Sequence, residues 1–229
     1  MTPKLTPNRT AKTELTIDDV LDQREYERVR DEYRQEVMAR KRLRRVSVGP
    51  IVTVLFECEE TVRFQVQEMA RVERIVSDEG IQAELDVYNK LLPVPGELSA
   101  TLFIELTSEG DLRWWLPRLV GIERSVLFEL GGTDGAPLAT VRSVPEVTHG
   151  EALTREAVTP AVHYLRFPFE PDQVQLLATG PAALAVRHPE YEHRSELSET
   201  TRRQLVADLE GRSEPVGTAG DERRLSGRP

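Results

Sequence analysis

The sequence predicts an α+β fold in which a mostly antiparallel sheet is covered by helices on one face. Short runs of β-branched and apolar residues occur in hairpin-type pairs, and amphipathic segments with helical spacing lie between them. Neither an internal repeat nor a linker interrupts these segments. Strand pairs with helices inserted between them favour a single layered domain.

The two ends of the chain differ in composition from its middle. Residues 1–14 contain threonine and proline without apolar periodicity, and residues 211–229 are rich in Gly, Pro, Ser and charge. Segments of this kind bury too little apolar surface to offset the entropy of ordering. We therefore expect disordered tails at residues 1–14 and 211–229 around a single α+β domain of residues 15–210.

The first half of the domain is predicted to be mostly helical. Thr16 suits a helix start, and a charged segment with one narrow apolar face follows it. Gly49 and Pro50 interrupt the next apolar run, which is typical of a strand or a short hairpin. The predicted elements are helices at residues 23–45, 59–76 and 81–91, and the strand or hairpin at residues 46–56.

The second half is predicted to alternate strands with short helices. The sequence GGTDG at residues 131–135 is a hairpin signal, and Pro171 with Gly180 marks the start and end of a helix. The predicted strands are residues 98–106, 125–130, 137–144, 161–169 and 182–186. The predicted helices are residues 111–120, 171–179 and 195–210, and residues 147–159 are predicted to be a loop.

Charge and cysteine content exclude several classes of protein. The net charge of −9 argues against a surface for nucleic acid or for anionic lipid, because both require local positive charge. Cys58 is the single cysteine, so an internal disulfide is impossible. Neither a membrane-spanning apolar run nor a signal peptide is present in the sequence. We expect a cytoplasmic protein.

The histidines are the most informative chemical feature. The sequence has no dinucleotide fingerprint, P-loop, C-x-x-C pair, G-x-S-x-G or H-E-x-x-H motif, and it identifies no cofactor. His163 lies within a predicted strand and His188 directly follows one, so both rings would line one cavity if those strands pair. Imidazole is a ligand for zinc, iron or manganese. A hydrogen-bonded core role is the commoner one for a strand histidine.

A polar stripe on the second predicted helix is the next candidate. Gln65, Glu68 and Arg71 recur at three-residue spacing and share one face. A carboxylate beside a guanidinium can bind a polar ligand or orient a metal-bound water. The simpler interpretation is a surface pair that stabilises the helix by ~0.2–0.5 kcal/mol.

A basic cluster at the end of the first predicted helix allows two interpretations. It could bind phosphates or an acidic partner, or it could simply match the negative end of the helix dipole. Its members are Arg40, Lys41, Arg42, Arg44 and Arg45. Cys58 lies beside glutamates, which raise the pKa of a thiol and argue against a catalytic cysteine.

Several segments together resemble an uncharacterised bacterial domain-of-unknown-function family over residues 15–193. These are VRFQVQEMARVERI at 62–75, YNKLLP at 88–93, LSATLFIEL at 98–106, LVGIERSV at 119–126, AVHYLRF at 161–167 and RHPEY at 187–191. The resemblance implies a genetic neighbourhood with a rubrerythrin-like protein and an iron–sulfur oxidoreductase of the heterodisulfide-reductase type. The positions it singles out are Gln65, Glu68, Arg71, Tyr88, His163, His188 and Tyr191.

Two hypotheses follow from the residues and the resemblance. The first is an accessory or interaction component of that redox or peroxide-stress system, which docks through its acidic surface and basic helix end. The second is a metal- or small-molecule-binding enzyme that uses His163, His188 and Glu68, with Arg71 and Tyr191 orienting a ligand. A scaffold without a ligand is a third option. The sequence leaves open whether the protein is an enzyme, what it binds and its oligomeric state.

Overall fold

The computed structural model describes residues 11–132, 136–146 and 158–212. Most of both predicted tails and most of the predicted loop at 147–159 lie outside these residues. Where the N-terminal segment is described, it packs on the domain: the amide of Ala11 donates to the carbonyl of Gly211, and the amide of Lys12 donates to Glu59. Leu15 is fully buried a few residues later.

The described residues contain six α-helices, three short 3₁₀ turns and nine strands. The helices are α1 (Gln23–Arg44), α2 (Glu59–Glu73), α3 (Asp78–Tyr88), α4 (Glu109–Trp115), α5 (Pro171–Thr179) and α6 (Glu199–Leu209), and the 3₁₀ turns are Ile17–Asp19, Asn89–Leu91 and Ile122–Arg124. The strands are β1 (Arg45–Ser47), β2 (Val52–Phe56), β3 (Glu97–Ile104), β4 (Val126–Leu130), β5 (Ala139–Arg142), β6 (Val144–Pro145), β7 (Val162–Pro168), β8 (Ala182–His188) and β9 (Tyr191–Glu196). None of the helices in these residues is both long and apolar enough to cross a membrane.

The strands form two antiparallel sheets, which confirms the α+β prediction and refines it. One sheet has the order β1-β2-β3-β7-β6 and the other has the order β5-β4-β8-β9. The chain passes from β5 in one sheet to β6 in the other across Ser143 alone. A one-residue crossing of this kind resembles the corners at which strands switch between packed sheets. A single sheet was expected because strand pairing cannot be read from apolar runs.

The main core lies between the two sheets. Strand side chains alternate between faces, and the even-numbered residues of β2 and β3 point into this core while Leu165 and Phe167 do so from β7. Phe128 in β4 and Leu184 in β8 meet them from the other sheet. The aromatic rings of Phe56, Phe128 and Phe167 contact one another there.

A helical layer covers the opposite face of the five-stranded sheet. Tyr164 alternates with Leu165 in β7 and therefore points to this other face, where it packs against a second, smaller core. That core consists of buried residues from the N-terminal segment, α2, α3 and the turn after α3. They are Leu15, Val62, Val66, Leu85, Leu91 and Leu92.

The run at residues 46–56 forms a hairpin whose turn is held by β9. Gly49 has a φ of 78°, and a Cβ atom on it would lie 2.4 Å from the hydroxyl oxygen of Tyr191 and 2.5 Å from Cγ of His193. Only glycine fits such a conformation and such a close approach. The hydroxyl of Tyr191 donates to the carbonyl of Val48 and accepts from the amide of Ile51.

The predicted helix at residues 195–210 is too long at its start. Residues Tyr191–Glu196 form strand β9, and α6 begins at Glu199 after the N-cap Ser198. The strand is polar, with alternating exposure, and cross-strand ion pairs stabilise it: Arg194 contacts Glu129 of β4, which Arg187 of β8 also contacts. Because Glu and Arg favour helices in isolation, the segment resembles a helix start.

A candidate ligand cavity in the helical layer

A cavity of about 540 Å³ opens between the N-terminal 3₁₀ turn, the start of α1, the second half of α2 and the start of α3. Its volume falls within the ~300–1,000 Å³ range of small-molecule sites. Half of the fourteen residues that line it have apolar side chains, and the polar side chains come mainly from the start of α1 and from α2. The lining consists of Ile17, Val20, Leu21, Asp22, Gln23, Arg24, Tyr26, Gln67, Ala70, Arg71, Ile75, Val76, Asp78 and Ile81.

The walls of the cavity are tied together by buried polar contacts. The side-chain amide of Gln67, which is buried, donates to the carbonyl of Leu21 and accepts from the amide of the same residue, both at 2.9 Å. Asp22 then caps α1 by accepting from the amides of Arg24 and Glu25. These contacts fix the start of α1 against α2, so the cavity is preformed rather than a gap between loose elements.

Glu68 of the predicted polar stripe lies on α2 beside the cavity and links this helix to α1 by hydrogen bonds. Its carboxylate accepts from the hydroxyl of Tyr26 at 2.6 Å and from both Nε and Nη2 of Arg30 at 2.8 Å. The hydrogen bonds from Arg30 lower the pKa of Glu68 to about 2. Burial and the contact with Glu68 raise the pKa of Tyr26. Because neither group titrates near neutral pH, the pair of Glu68 and Tyr26 stabilises the packing of α1 on α2 and does not transfer protons.

The other two members of the stripe lie in different surroundings. Arg71 lines the cavity, and its Nε donates to Glu27 of α1 at 2.7 Å. Gln65 is half-buried on α2 and does not line the cavity. Arg71 therefore lines the cavity directly. Glu68 is outside the lining and bonds to Tyr26, which is part of it.

His188 uses both ring nitrogens in contacts with the backbone. Its Nε2 lies 3.1 Å from the carbonyl oxygen of Val120, and its Nδ1 accepts from the amide of Glu190 at 3.2 Å. These partners indicate a neutral ring protonated on Nε2, since a carbonyl can only accept and an amide can only donate. The single lone pair of the ring is engaged, and the side chain anchors the end of β8.

His163 lies on the face of β7 that points toward the core between the two sheets, the face that Leu165 and Phe167 share. Its Nε2 is 3.0 Å from the hydroxyl of Thr159, and its Nδ1 is 4.0 Å from a carboxylate oxygen of Glu123. Burial lowers its pKa, so the ring is neutral at physiological pH. Thr159 is itself buried and presents no hydroxyl to a substrate.

The structure does not assemble the histidines and Glu68 into one ligand set. His163 and His188 belong to strands in different sheets, although both contact the segment at residues 120–123. Glu68 lies in the helical layer on the far side of the five-stranded sheet. Within residues 11–132, 136–146 and 158–212, no group of three or more His, Cys, Asp or Glu side chains is placed to hold a metal ion.

The two predicted tyrosines lie apart from the cavity. Tyr191 is buried and holds the β1–β2 turn through the hydrogen bonds described above, with Trp115 packed edge-on at 6.2 Å between ring centroids. Tyr88 ends α3 and packs against the smaller core, where burial raises its pKa. Both residues support the fold at their positions.

Two of the five members of the predicted basic cluster are internal, while Arg42 and Arg45 are exposed. Arg40 and Arg44 are buried: Arg44 pairs with Asp208 of α6, and Arg40 lies 3.8 Å from Glu60 of α2. Lys41 lies over the ring of Phe64 and Arg45 pairs with Glu105. The docking role expected for this helix end is therefore not available to its two buried guanidinium groups, because they link α1 to α2 and α6.

Cys58 lies in the same buried cluster and begins α2 as its N-cap residue. Its Sγ is 3.3 Å from a carboxylate oxygen of Glu60. Burial raises the pKa of the thiol to about 12, with a smaller contribution from Glu60 and an opposing one from Arg44. The predicted direction is confirmed, and burial rather than neighbouring charge is its main cause.

The cavity itself could not be found from the sequence. Asp22 and Ser77 are the N-cap residues of α1 and α3, and α3 begins at Asp78, three residues before the helix predicted at residues 81–91. Nothing in the local sequence indicates that the two starts lie on either side of one space. Its walls are joined by the bond between Gln67 and Leu21, a contact between residues 46 positions apart.

The chain is similar in sequence and fold to a protein of known structure. A crystal structure of a protein of unknown function from Burkholderia pseudomallei has 36% sequence identity and a TM-score of 0.76, and the match covers 85% of this chain and 98% of that one. No curated protein matches the chain. The family model described as protein of unknown function (DUF3501) matches residues 14–209, which include the cavity, both sheets and α6. The chain belongs to this family.

Proposed function

We propose that this protein is a small-molecule-binding accessory component of a redox or peroxide-stress system. The observation that carries the binding role is the preformed cavity in the helical layer. Its apolar lining excludes water from part of a ligand, and Gln67 and Glu68 hold its walls in place. Glu68 and Tyr26, the titratable pair beside it, do not titrate near neutral pH, which favours binding over acid–base catalysis.

Binding to the cavity can be tested with octan-1-ol, an uncharged probe with an apolar chain. We expect saturable chemical-shift changes at the backbone amides of Ala70, Ile75 and Ile81 in a titration followed by NMR. Val76 lines the cavity and is 81% exposed, so Val76→Asp leaves the fold intact while it places a carboxylate against the alkyl chain. The variant is expected to weaken octan-1-ol binding by about tenfold, which corresponds to ~1.4 kcal/mol.

Val72→Asp is the matched control for this experiment. Val72 lies four residues earlier, near the end of α2, whereas Val76 lies between α2 and α3; Val72 is 67% exposed and does not line the cavity. The control variant should bind octan-1-ol as the wild type does. Shifts that do not saturate, or shifts confined to residues outside the cavity, would contradict the proposed binding role.

The redox context of the proposal rests on the resemblance set out from the sequence. The resemblance implies a genetic neighbourhood with a rubrerythrin-like protein and an iron–sulfur oxidoreductase, and the proposal takes these two as partners. The net charge of −9 favours association with a positively charged surface. We expect the tagged protein to retain at least one of these two partners from the same organism at ~50 mM salt and to release it at ~500 mM, where charges are screened within a few ångströms. Retention of neither at low salt would contradict the redox role and leave the cavity experiment unaffected.

A further inference from the structure

The polar groups that line the cavity are unequally available to a ligand. The amide of Gln67 is used by Leu21, and the hydroxyl of Tyr26 is used by Glu68. One carboxylate oxygen of Asp22 accepts two amide N–H groups of α1. The side-chain donors that remain in the lining are the amide of Gln23 and the guanidinium groups, and of these the guanidinium groups carry the charge.

Two guanidinium groups face the cavity. Arg71 donates to Glu27 through Nε, which leaves the N–H groups on its two Nη atoms. The structure gives the guanidinium of Arg24 no hydrogen-bond or ion-pair partner among the described residues, and its side chain is exposed at the rim. Between them these side chains can offer a fork of donors, the geometry that suits a carboxylate.

The two acidic side chains in the lining do not cancel this preference. Asp22 caps α1 and Asp78 lies in the first turn of α3, so both carboxylates are stabilised by the positive ends of helices. In the described part of the chain, no negatively charged group pairs with the guanidinium of Arg24. An anionic group on a ligand would supply such a partner.

We infer that the natural ligand is a small organic anion, a carboxylate joined to an apolar chain. The carboxylate lies against Arg24 and Arg71, and the chain lies against Ile17, Ile75 and Ile81. This inference rests on the proposed binding function and specifies the class of ligand. The volume of about 540 Å³ accommodates a chain of medium length, and the apolar lining favours a chain over a compact polar acid.

The test compares three probes in the NMR titration used for octan-1-ol. Octanoate is expected to bind wild-type protein about three- to tenfold more tightly than octan-1-ol, because it adds a charge-assisted contact at a partly exposed site. Acetate, which has the carboxylate without the chain, should cause no saturable shifts over the same concentration range. Arg24→Gln is expected to lower octanoate affinity toward that of octan-1-ol and to change octan-1-ol affinity much less, since the alcohol makes no charge–charge contact.

Arg28→Gln is the matched control, because Arg28 is exposed on the same helix and does not line the cavity. An equal loss of octanoate affinity in both variants would show general attraction to positive charge and would overturn the inference. Equal binding of octanoate and octan-1-ol would also overturn it, while the proposed binding function would stand. If no probe binds at the cavity, the inference falls together with that function.

Discussion

Replacing Asp208 with leucine is expected to lower the free energy of unfolding by roughly 3–5 kcal/mol. Asp208 accepts from both Nη atoms of Arg44 at 2.5 and 2.6 Å, and both side chains are almost fully buried. Without the carboxylate, the guanidinium is left in the interior with its main partner missing. A guanidinium cannot release its proton to avoid this cost.

The reverse replacement is expected to cost less. Burial raises the pKa of Asp208 to about 7, while Arg44 acts in the opposite direction. When Arg44→Met removes the cation, the carboxyl group can take up a proton and remain buried without charge. Because the folded protein then binds a proton that the unfolded chain, with a pKa of ~3.9, does not, the stability of this variant should increase as the pH falls from about 8 to about 5.

The double variant separates pairing from simple loss of packing. Arg44→Met combined with Asp208→Leu removes both charges, so it should recover most of the stability lost in Asp208→Leu. Urea denaturation at pH 8 and pH 5, followed by circular dichroism, measures all three variants. Arg113→Ala is the control, because its ion pair with Glu109 is more than 80% exposed and should contribute less than ~0.5 kcal/mol.

Two outcomes would contradict this account of the α1–α6 link. One is a double variant as unstable as the sum of its single variants, which would show no compensation between the two charges. The other is an Arg44→Met variant whose stability falls on acidification. In either case the pair would not act as the coupled unit that its geometry indicates.

Parts of the fold that depend on local signals were predicted well. Pro171 and Gly180 mark both ends of α5, and the glycines near residue 131 mark the turn between β4 and β5. These signals act through backbone conformation and require no distant partner. The α+β class follows from them, because each local element appears with its own periodicity.

The elements that were missed depend on distant partners. Strand β9 is stabilised by Arg194 reaching Glu129, 65 residues away, and its own residues favour a helix. The division into two sheets follows from Ser143, where one residue carries the chain from sheet to sheet. Neither feature has a local pattern.

The candidate site shows the same limit. Glu68 and Arg71 were predicted to share one polar face, but each bonds to a different partner: Tyr26, Arg30 and Glu27 lie on α1, about 40 residues away. The expected link from Glu68 to the histidines is interrupted by the five-stranded sheet. The ring nitrogens of His188 bond to backbone groups. The sequence around such a histidine does not differ from the sequence around a histidine that binds a metal.

Replacing Phe128 with alanine is expected to lower the free energy of unfolding by roughly 3–5 kcal/mol. Phe128 is fully buried in β4. The centroid of its ring lies 5.1 Å from the ring centroids of Phe167 and Phe169 and 5.5 Å from that of Phe56. Because these three rings come from or adjoin the five-stranded sheet, the replacement opens a cavity between the two sheets rather than at an edge.

A series of replacements distinguishes this packing from simple loss of apolar surface. Phe128→Leu keeps most of the volume and should cost about half as much as Phe128→Ala in urea denaturation. Trp114→Ala is the matched control, since Trp114 is 56% exposed and contacts Arg118 at the surface, and its cost should stay below ~1 kcal/mol. A cost for Phe128→Ala as small as that of the control would contradict the tight apposition of the two sheets, on which the position of His163 and the helical layer behind it depends.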